Sequence, residues 1–280
     1  MPKSSRLFVQ LGRHAVPLTA GHGALEPLLP AVLEFRPFQQ WAARLGRQLE
    51  RPMGSRVEVR GVRVSDVDMF GRRIGFVKFT AGIRWAEDGK PLPGIVFCRG
   101  GAVAVLLIVR PSDAAAAVAD QGGNDDDSWV VLTVQPRLPV ALLEDPALPA
   151  GMLDGDSNFA GVAAKELEEE CGIRMTAEDL VDLTSFRTLD EGDDEGAGVD
   201  ETGLFPSAGG CDEFIRLFLC EKRLPLAQIR ELEGREAGLR DEGERIRVKL
   251  VRLRDLWRST RDMKALAALA LYGIRRGGAA

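Results

Sequence analysis

The sequence predicts an α+β fold in which a mixed sheet carries packed helices. Three observations lead to this prediction: long apolar, strand-like runs in the second half of the chain, one short acidic helix between them, and an amphipathic helix near the end. The composition is that of a globular protein, because 45% of the 280 residues are hydrophobic and 28% are charged. We therefore expect one large domain or two smaller ones.

The first part of the chain, residues 1–92, is predicted to form a small α+β domain. Helical apolar spacing runs through AVLEFRPFQQWAARLGRQLE at 31–50. The stretches SRVEVRGVRV and RRIGFVKFTAGIRW then alternate apolar and polar residues, which is typical of half-buried strands. PLPG at 91–94 interrupts this pattern and ends the predicted domain.

Residues 93–280 are predicted to form a second, larger domain. GIVFCRGGAVAVLLIV and WVVLTVQPRLPVALL are apolar enough to be strands that are buried on both faces. Two acidic or glycine-rich stretches, at 110–128 and 190–203, indicate loops. DEGERIRVKLVRLRDLW indicates a strand that leads into a helix, and an amphipathic helix over 257–275 ends the domain.

The acidic helix, AKELEEECGI at 164–173, carries the candidate chemistry. At about 100° per residue, Glu166, Glu169 and Glu170 fall within a wedge of roughly 100°, opposite a core-facing apolar side. Glu168 points elsewhere, beside the preceding lysine. Converging carboxylates suit a hard divalent ion such as Mg²⁺, which takes a few protein oxygens together with water and phosphate. A solvated acidic face is the alternative interpretation of the helix alone.

Charge and residue counts argue against several classes of function. A formal net charge of −5 does not fit a general nucleic-acid binder. The two histidines, His14 and His22, both lie near the N-terminus, which argues against a Ser-His-Asp or Cys-His mechanism and a His-rich zinc site. The four cysteines form no C-x-x-C pair, and no apolar run reaches the length of a membrane span. Any catalysis should therefore rest on carboxylates and metal.

The stretch AGMLDGDSNFAGVAAKELEEECGI, residues 150–173, resembles the signature of the Nudix hydrolases. That signature runs glycine, five residues, Glu, seven residues, then Arg-Glu-apolar-x-Glu-Glu-x-Gly-apolar. The matching positions are Gly151, Glu166, Leu167, Glu169, Glu170, Gly172 and Ile173. Two positions depart from it. Ser157 stands where the signature has Glu, and Lys165 where it has Arg, so the charge is kept without the planar guanidinium.

Blocks outside the signature are similar to one branch of this family, the ADP-ribose and ADP-sugar pyrophosphatases. They are RGGAVAVLL (99–107), LTVQPRLP (132–139), FPSAGGCDE (205–213) and EGERIRVKLV (242–251). DVDMFGRRIGFVKF, FPSAGGCDE and EGREAGLRDEGE resemble in particular the plastidial enzymes of plants and algae. The resemblance covers roughly residues 60–275. It implies a Nudix α/β/α sandwich with a mixed sheet, a homodimer, and a plastid location in a plant or alga or otherwise a cytoplasmic one.

The resemblance also implies a reaction and a metal. The reaction is the Mg²⁺-dependent hydrolysis of ADP-glucose, ADP-ribose or both to AMP and a sugar phosphate, with Mn²⁺ as a substitute ion. Glu166 and Glu170 would be the principal metal ligands, and the carbonyl oxygen of Ala150 a further one. Glu169 would be a ligand or an orienting, catalytic partner.

A base must also deprotonate the attacking water, and the resemblance places it on a loop opposite the acidic helix. Glu242 and Glu244 are the candidates, with Glu242 preferred; the alternative is that both are solvated loop acids. Arg99 and Arg137 are candidates to bind the diphosphate or the sugar. Glu213 is a candidate to orient metal-bound water or substrate.

Two other functions stay open at this point. The departures at Ser157 and Lys165 would also fit a Nudix domain that binds a nucleotide or a protein without hydrolysis. The substrate could instead be CoA, NADH or a damaged nucleoside triphosphate. No nucleic acid and no membrane are expected as partners. The preferred sugar, the phosphorus attacked, the number of ions and any transit-peptide remnant within residues 1–30 are open.

Overall fold

The structure is a computed structural model that describes residues 6–112, 127–153, 158–185, 203–238 and 244–277. The chain forms two compact units, the first of residues 1–101 with 205–214 and the second of residues 102–204 with 215–280. The segment 205–214 joins the first unit through a parallel bridge between Phe97 and Cys211. The division into domains 1–92 and 93–280 stays a prediction, and it differs from these units at residues 93–101 and in the segment 205–214, which both belong to the first unit.

The first unit is a five-stranded sheet with two helices. Its strands, in sheet order, are β1 (Leu7–Leu11), β2 (His14–Ala20), β3 (Val57–Phe70), β4 (Arg73–Trp85) and β5 (Ile95–Cys98). Only β2 and β3 run parallel among these neighbours. Their connection contains α1 (Leu29–Glu34) and α2 (Arg36–Glu50), because parallel strands need a long crossover.

Apolar side chains pack the first unit between its sheet and α2. Phe38 of α2 meets Phe79 of β4 edge to face, with ring centroids 5.2 Å apart. The helix predicted over 31–50 forms as two helices, because Phe35 has an extended backbone with φ −67° and ψ 111°. Pro37 lies in the first turn of α2, where its missing N–H removes no hydrogen bond.

The second unit contains an eight-stranded mixed sheet. Its strand order is β10-β11-β6-β7-β13-β12, with β8 paired to β7 and β9 paired to β6. The strands are β6 (Ala102–Pro111), β7 (Trp129–Arg137), β8 (Leu142–Ala147), β9 (Ala150–Met152), β10 (Val181–Asp182), β11 (Ile215–Leu224), β12 (Glu236–Ala237) and β13 (Ile246–Arg252). Because β6 and β11 are parallel and the other pairs antiparallel, the predicted mixed sheet is confirmed.

Helices cover both faces of this sheet. They are α3 (Phe159–Cys171), α4 (Leu226–Leu232), α5 (Leu256–Ser259) and α6 (Met263–Gly277). Leu106 and Ile108 of β6 pack in one cluster with Ala268 of α6. Val105 and Leu107 alternate with them, so they face the other side, where α3 and α4 contact β6. The predicted α/β/α sandwich is confirmed.

The closing helix differs from its prediction over 257–275, because residues 260–262 separate α5 from α6. Asp262 provides the reason for the break. Its Oδ1 accepts the backbone N–H of Lys264, and its Oδ2 accepts the N–H of Leu148 at 2.9 Å. The carboxylate thus begins α6 and at the same time fixes the segment between β8 and β9.

The two predicted loops, at 110–128 and 190–203, lie mostly outside the described residues. Within the described part of the chain, no helix has both the length and the apolar character that crossing a membrane requires. The elements α3, β7 and β9, which build the candidate metal site, all belong to the second unit.

Candidate active site

The acidic helix α3 (Phe159–Cys171) has a capping residue at each end. The side-chain oxygen of Asn158 accepts the N–H of Gly161 at 3.0 Å, which caps the first turn. Gly172 takes the left-handed conformation with φ 65° and closes the last turn. Leu167 and Cys171 are fully buried, which confirms the core-facing side of the helix.

Glu170 is the most enclosed of the candidate ligands, because only 5% of it is exposed. Its Oε2 accepts the N–H of Ala150 in β9 at 3.1 Å, and its Oε1 accepts Nε2 of Gln135 in β7 at 3.1 Å. Burial and, after it, the nearby carboxylate of Glu166 raise the pKa of Glu170 to about 7. The two hydrogen bonds and the charge of Arg137 act in the opposite direction.

Glu166 lies against the backbone of β9. A Cβ atom added to Gly151 would stand 1.8 Å from Glu166 Oε1, so the missing side chain makes room for this carboxylate. Gly151 therefore serves a steric purpose. The structure brings Glu166, Glu170 and Ala150 together at β9, as the sequence predicts for ligands of one ion.

Glu169 makes different contacts. Its Oε1 lies 3.3 Å from Nζ of Lys165, one helical turn earlier, whereas Glu168 pairs with Arg174. That Glu168 lies beside Lys165 stays a prediction; the ion pair of Lys165 is with Glu169, four residues later. Within the described ranges, no group of three or more His, Cys, Asp or Glu side chains is arranged to hold a metal ion.

The donor set nevertheless fits a magnesium-like ion. Mg²⁺ is usually held by one or two carboxylates, with waters and substrate phosphates as its other ligands. Glu166 and Glu170 supply two carboxylates, and the pKa of Glu170 is raised by its burial and then by repulsion from Glu166. A bound cation would relieve that repulsion. The metal roles of Glu166, Glu169, Glu170 and Ala150 stay predictions.

The candidate bases belong to the segment that follows β12. Glu242 lies outside the described residues. Glu244 lies close to Gly238, since a Cβ added to this glycine would stand 3.2 Å from Glu244 Cβ. Gly238 donates its N–H to the backbone carbonyl of Glu169 at 3.1 Å, an acceptor left open by the end of α3. The structure thus ties the start of this segment to the acidic helix.

The predicted substrate residues fall in both units. Arg137, at the end of β7, lies near enough to Glu170 for its charge to act on the pKa of that carboxyl. Arg99 and Glu213 belong to the first unit and form an ion pair, with Nη1 and Oε1 3.3 Å apart. The neighbouring Asp212 accepts the backbone N–H of Arg99 at 2.7 Å. Substrate roles for Arg99, Arg137 and Glu213 stay predictions.

Sequence reasoning missed Gln135, although a signal for it exists. It is a polar residue that follows the buried run Val130–Val134, and it stands two positions before Arg137. Residues two apart on a strand share a face, so an arginine expected at the site also indicates its neighbour. The sequence pattern does not indicate the partner of Gln135, because Glu170 lies 35 residues away in the chain.

A groove of about 290 Å³ opens beside the same strands. Its lining includes Gln135, the donor to Glu170, together with Glu144, Arg245 and Arg247, and it contains none of the site residues predicted from the sequence. Arg247 and Glu144 form an ion pair of 3.2 Å, so their charges offset each other. The candidate metal ligands lie at β9 and α3, and Gln135 stands between them and this groove.

Comparison with known proteins decides the family. The chain is 42% identical over 240 residues to Nudix hydrolase 14, chloroplastic, of Arabidopsis thaliana, across 84% of this chain and 69% of that protein. The chain belongs to the Nudix hydrolase family. The predicted resemblance and the predicted enzyme class, a Nudix pyrophosphohydrolase, are confirmed by this membership.

Two further comparisons give proteins whose names refer to ADP-ribose or to ADP compounds. The chain is 29% identical over 190 residues to the ADP-ribose pyrophosphatase of Bacillus subtilis (strain 168), across 67% of this chain and 77% of that protein. A crystal structure of an ADP compounds hydrolase aligns with a TM-score of 0.49 and 14% identity, across 80% of this Nudix hydrolase and 96% of that chain. That TM-score is too low to add to the assignment. No family model matches the chain.

Proposed function

We propose that this Nudix hydrolase is a Mg²⁺-dependent ADP-sugar pyrophosphatase that converts ADP-glucose, ADP-ribose or both to AMP and a sugar phosphate. The observation that carries the proposal is the burial of Glu170 beside Glu166 at the backbone of β9. The name of the Bacillus subtilis relative, an ADP-ribose pyrophosphatase, supports the substrate class. Mn²⁺ is the expected substitute ion.

The chain's own residues divide the work as follows. Glu166, Glu170 and the carbonyl oxygen of Ala150 hold the ion, and Glu169 is a further ligand or an orienting partner. When bound, Mg²⁺ neutralises the diphosphate and acidifies a water. Gln135 holds Glu170 by its amide.

The remaining roles concern the water and the substrate. Glu242 or Glu244 accepts the proton of the attacking water, which adds to phosphorus as the P–O–P anhydride bond breaks. Arg137 binds the diphosphate, because a guanidinium matches phosphate oxygens in pairs. Arg99 and Glu213 contact the substrate in this proposal.

The proposal extends to assembly and location. We infer a homodimer and, in a plant or alga, a plastid location. The name of the Arabidopsis relative, which is chloroplastic, supports the location.

The test is AMP release from ADP-glucose and from ADP-ribose at equal concentration with Mg²⁺. We expect the wild type to hydrolyse at least one of them and Glu170→Gln to lower kcat by about two orders of magnitude or more, because metal-based charge stabilisation is lost. Glu168→Gln is the matched control, since Glu168 is exposed on the same helix and should leave kcat within about twofold.

Three results would change the conclusion. Equal kcat values for Glu170→Gln and wild type would refute the metal site. Hydrolysis of CoA or NADH but of neither ADP-sugar would replace the substrate. Nucleotide binding without hydrolysis of any of these compounds would make the domain a binding protein.

A further inference from the structure

Glu170 is held by two donors from two different strands. Ala150 of β9 donates its backbone N–H to Oε2, and Gln135 of β7 donates its side-chain N–H to Oε1, each at 3.1 Å. The first donor is main chain, so any residue at that position would provide it. The second exists only because residue 135 is a glutamine.

The position of Gln135 is set by the sheet. It pairs in register with Asp145 of β8, and the neighbouring Val134 pairs with Pro146 of β8 and with Arg247 of β13. β7 is therefore paired on both sides up to Val134, and Gln135 follows directly, paired to β8 just before the register shifts between Gln135 and Arg137. A fixed donor of this kind fixes the orientation of the carboxylate that it binds.

The residue type also matters. A lysine or arginine at position 135 would pair with Glu170 as a counter-ion and would compete with a metal. An apolar side chain would leave Oε1 of a buried carboxylate without its donor. A neutral amide orients the carboxylate and leaves its negative charge available to a cation, because it donates a hydrogen bond without a formal charge.

We propose that Gln135 is a positioning residue for Glu170 and that its amide sets the affinity of the acidic site for a divalent cation. This inference rests on the proposed function, since it concerns the same ion. It adds a residue that the signature does not contain and assigns it an effect on ion binding that is separate from the chemistry of hydrolysis.

The experiment measures Mg²⁺ binding by calorimetry on the full chain without nucleotide. We expect Gln135→Met, which keeps the side-chain length but cannot donate, to weaken binding about 10-fold to 100-fold. Gln228→Met is the matched control, because Gln228 is an exposed glutamine on α4 of the same unit, and it should bind Mg²⁺ as the wild type does. Gln135→Asn, whose amide falls short of Glu170, should also weaken binding and serves if the Met variant does not fold.

A double-mutant cycle separates positioning from a general structural effect. Glu170→Asp keeps a carboxylate but withdraws it from the amide of Gln135, so adding Gln135→Met to it should have little further effect on Mg²⁺ affinity. Wild-type affinity in both Gln135 variants, or losses that add in full in the double variant, would overturn the inference. Unchanged affinity in Glu170→Asp would instead refute the metal site itself, and with it the proposed function.

Discussion

Replacing Glu170 with glutamine should stabilise the metal-free protein at neutral and alkaline pH. Burial and the carboxylate of Glu166 raise the pKa of Glu170 from 4.5 to about 7. Between these values the folded protein keeps a proton that the unfolded chain has released. The free energy of unfolding therefore falls as the pH rises from about 4.5 through about 7 and stays lowered above that.

The size of the effect follows from the pKa change. The difference between 4.5 and about 7 corresponds to about 3 kcal/mol of lost stability above pH 8. The glutamine has no such cost, since its carbonyl can accept the N–H of Ala150 while its NH₂ donates to a flipped Gln135 amide. The variant and the wild type should be equally stable near pH 4.5 and should differ by about 3 kcal/mol at pH 8.

Thermal and urea unfolding with a chelator, at pH 5 and pH 8, check this expectation. The melting temperature of Glu170→Gln should exceed that of the wild type at pH 8 by about 6 to 12 °C. Glu168→Gln controls for loss of charge, and saturating Mg²⁺ should narrow the gap by stabilising the wild type. A variant less stable than the wild type at pH 8, or a difference independent of pH, would refute the reasoning.

Two other changes test the surroundings of the site. Gly151→Ala would place a Cβ 1.8 Å from Glu166 Oε1, so this carboxylate must move. We expect weaker Mg²⁺ binding and a kcat at least about 10-fold lower. Wild-type values for both quantities would contradict the steric role of the glycine. Asp262→Ala leaves the N–H groups of Leu148 and Lys264 without their acceptor, and the side chain of Asp262 is only 6% exposed. Unfolding should show a loss of about 2 to 4 kcal/mol, and a loss below about 0.5 kcal/mol would show that α6 does not depend on this carboxylate.

The local sequence pattern predicts the acidic helix, but it does not predict which elements pack against that helix. Apolar spacing predicts α3 because the determinants of a helix lie within a few residues of one another. The same reasoning placed Glu170 on a face opposite the core, whereas the structure buries it beneath β7 and β9. That burial comes from strands that pack on the helix, and periodicity within one segment contains no information about them.

The partners that the sequence did not reveal are also distant in the chain. Gln135 meets Glu170 across 35 residues, and Asp262 meets Leu148 across 114. The resemblance to a family compensates for part of this gap, since it named Ala150 as a ligand before β9 was known to pack on α3. It did not name Gln135, although the block LTVQPRLP that resembles the branch contains this residue.

Glu169 and Glu170 differ in how much their positions affect stability, and this difference favours a domain that catalyses hydrolysis over one that only binds a partner. Lys165 replaces the arginine of the signature and keeps a cation 3.3 Å from Glu169. The side chain of Lys165 is 69% exposed, and an exposed ion pair contributes about 0 to 1 kcal/mol to stability. The raised pKa of Glu170, caused by burial and by Glu166, corresponds to about 3 kcal/mol of lost folding stability at pH 8. A domain that only bound partners would be more stable with glutamine at 170. A carboxylate there is advantageous only when a cation offsets its charge, which is what hydrolysis of a diphosphate requires.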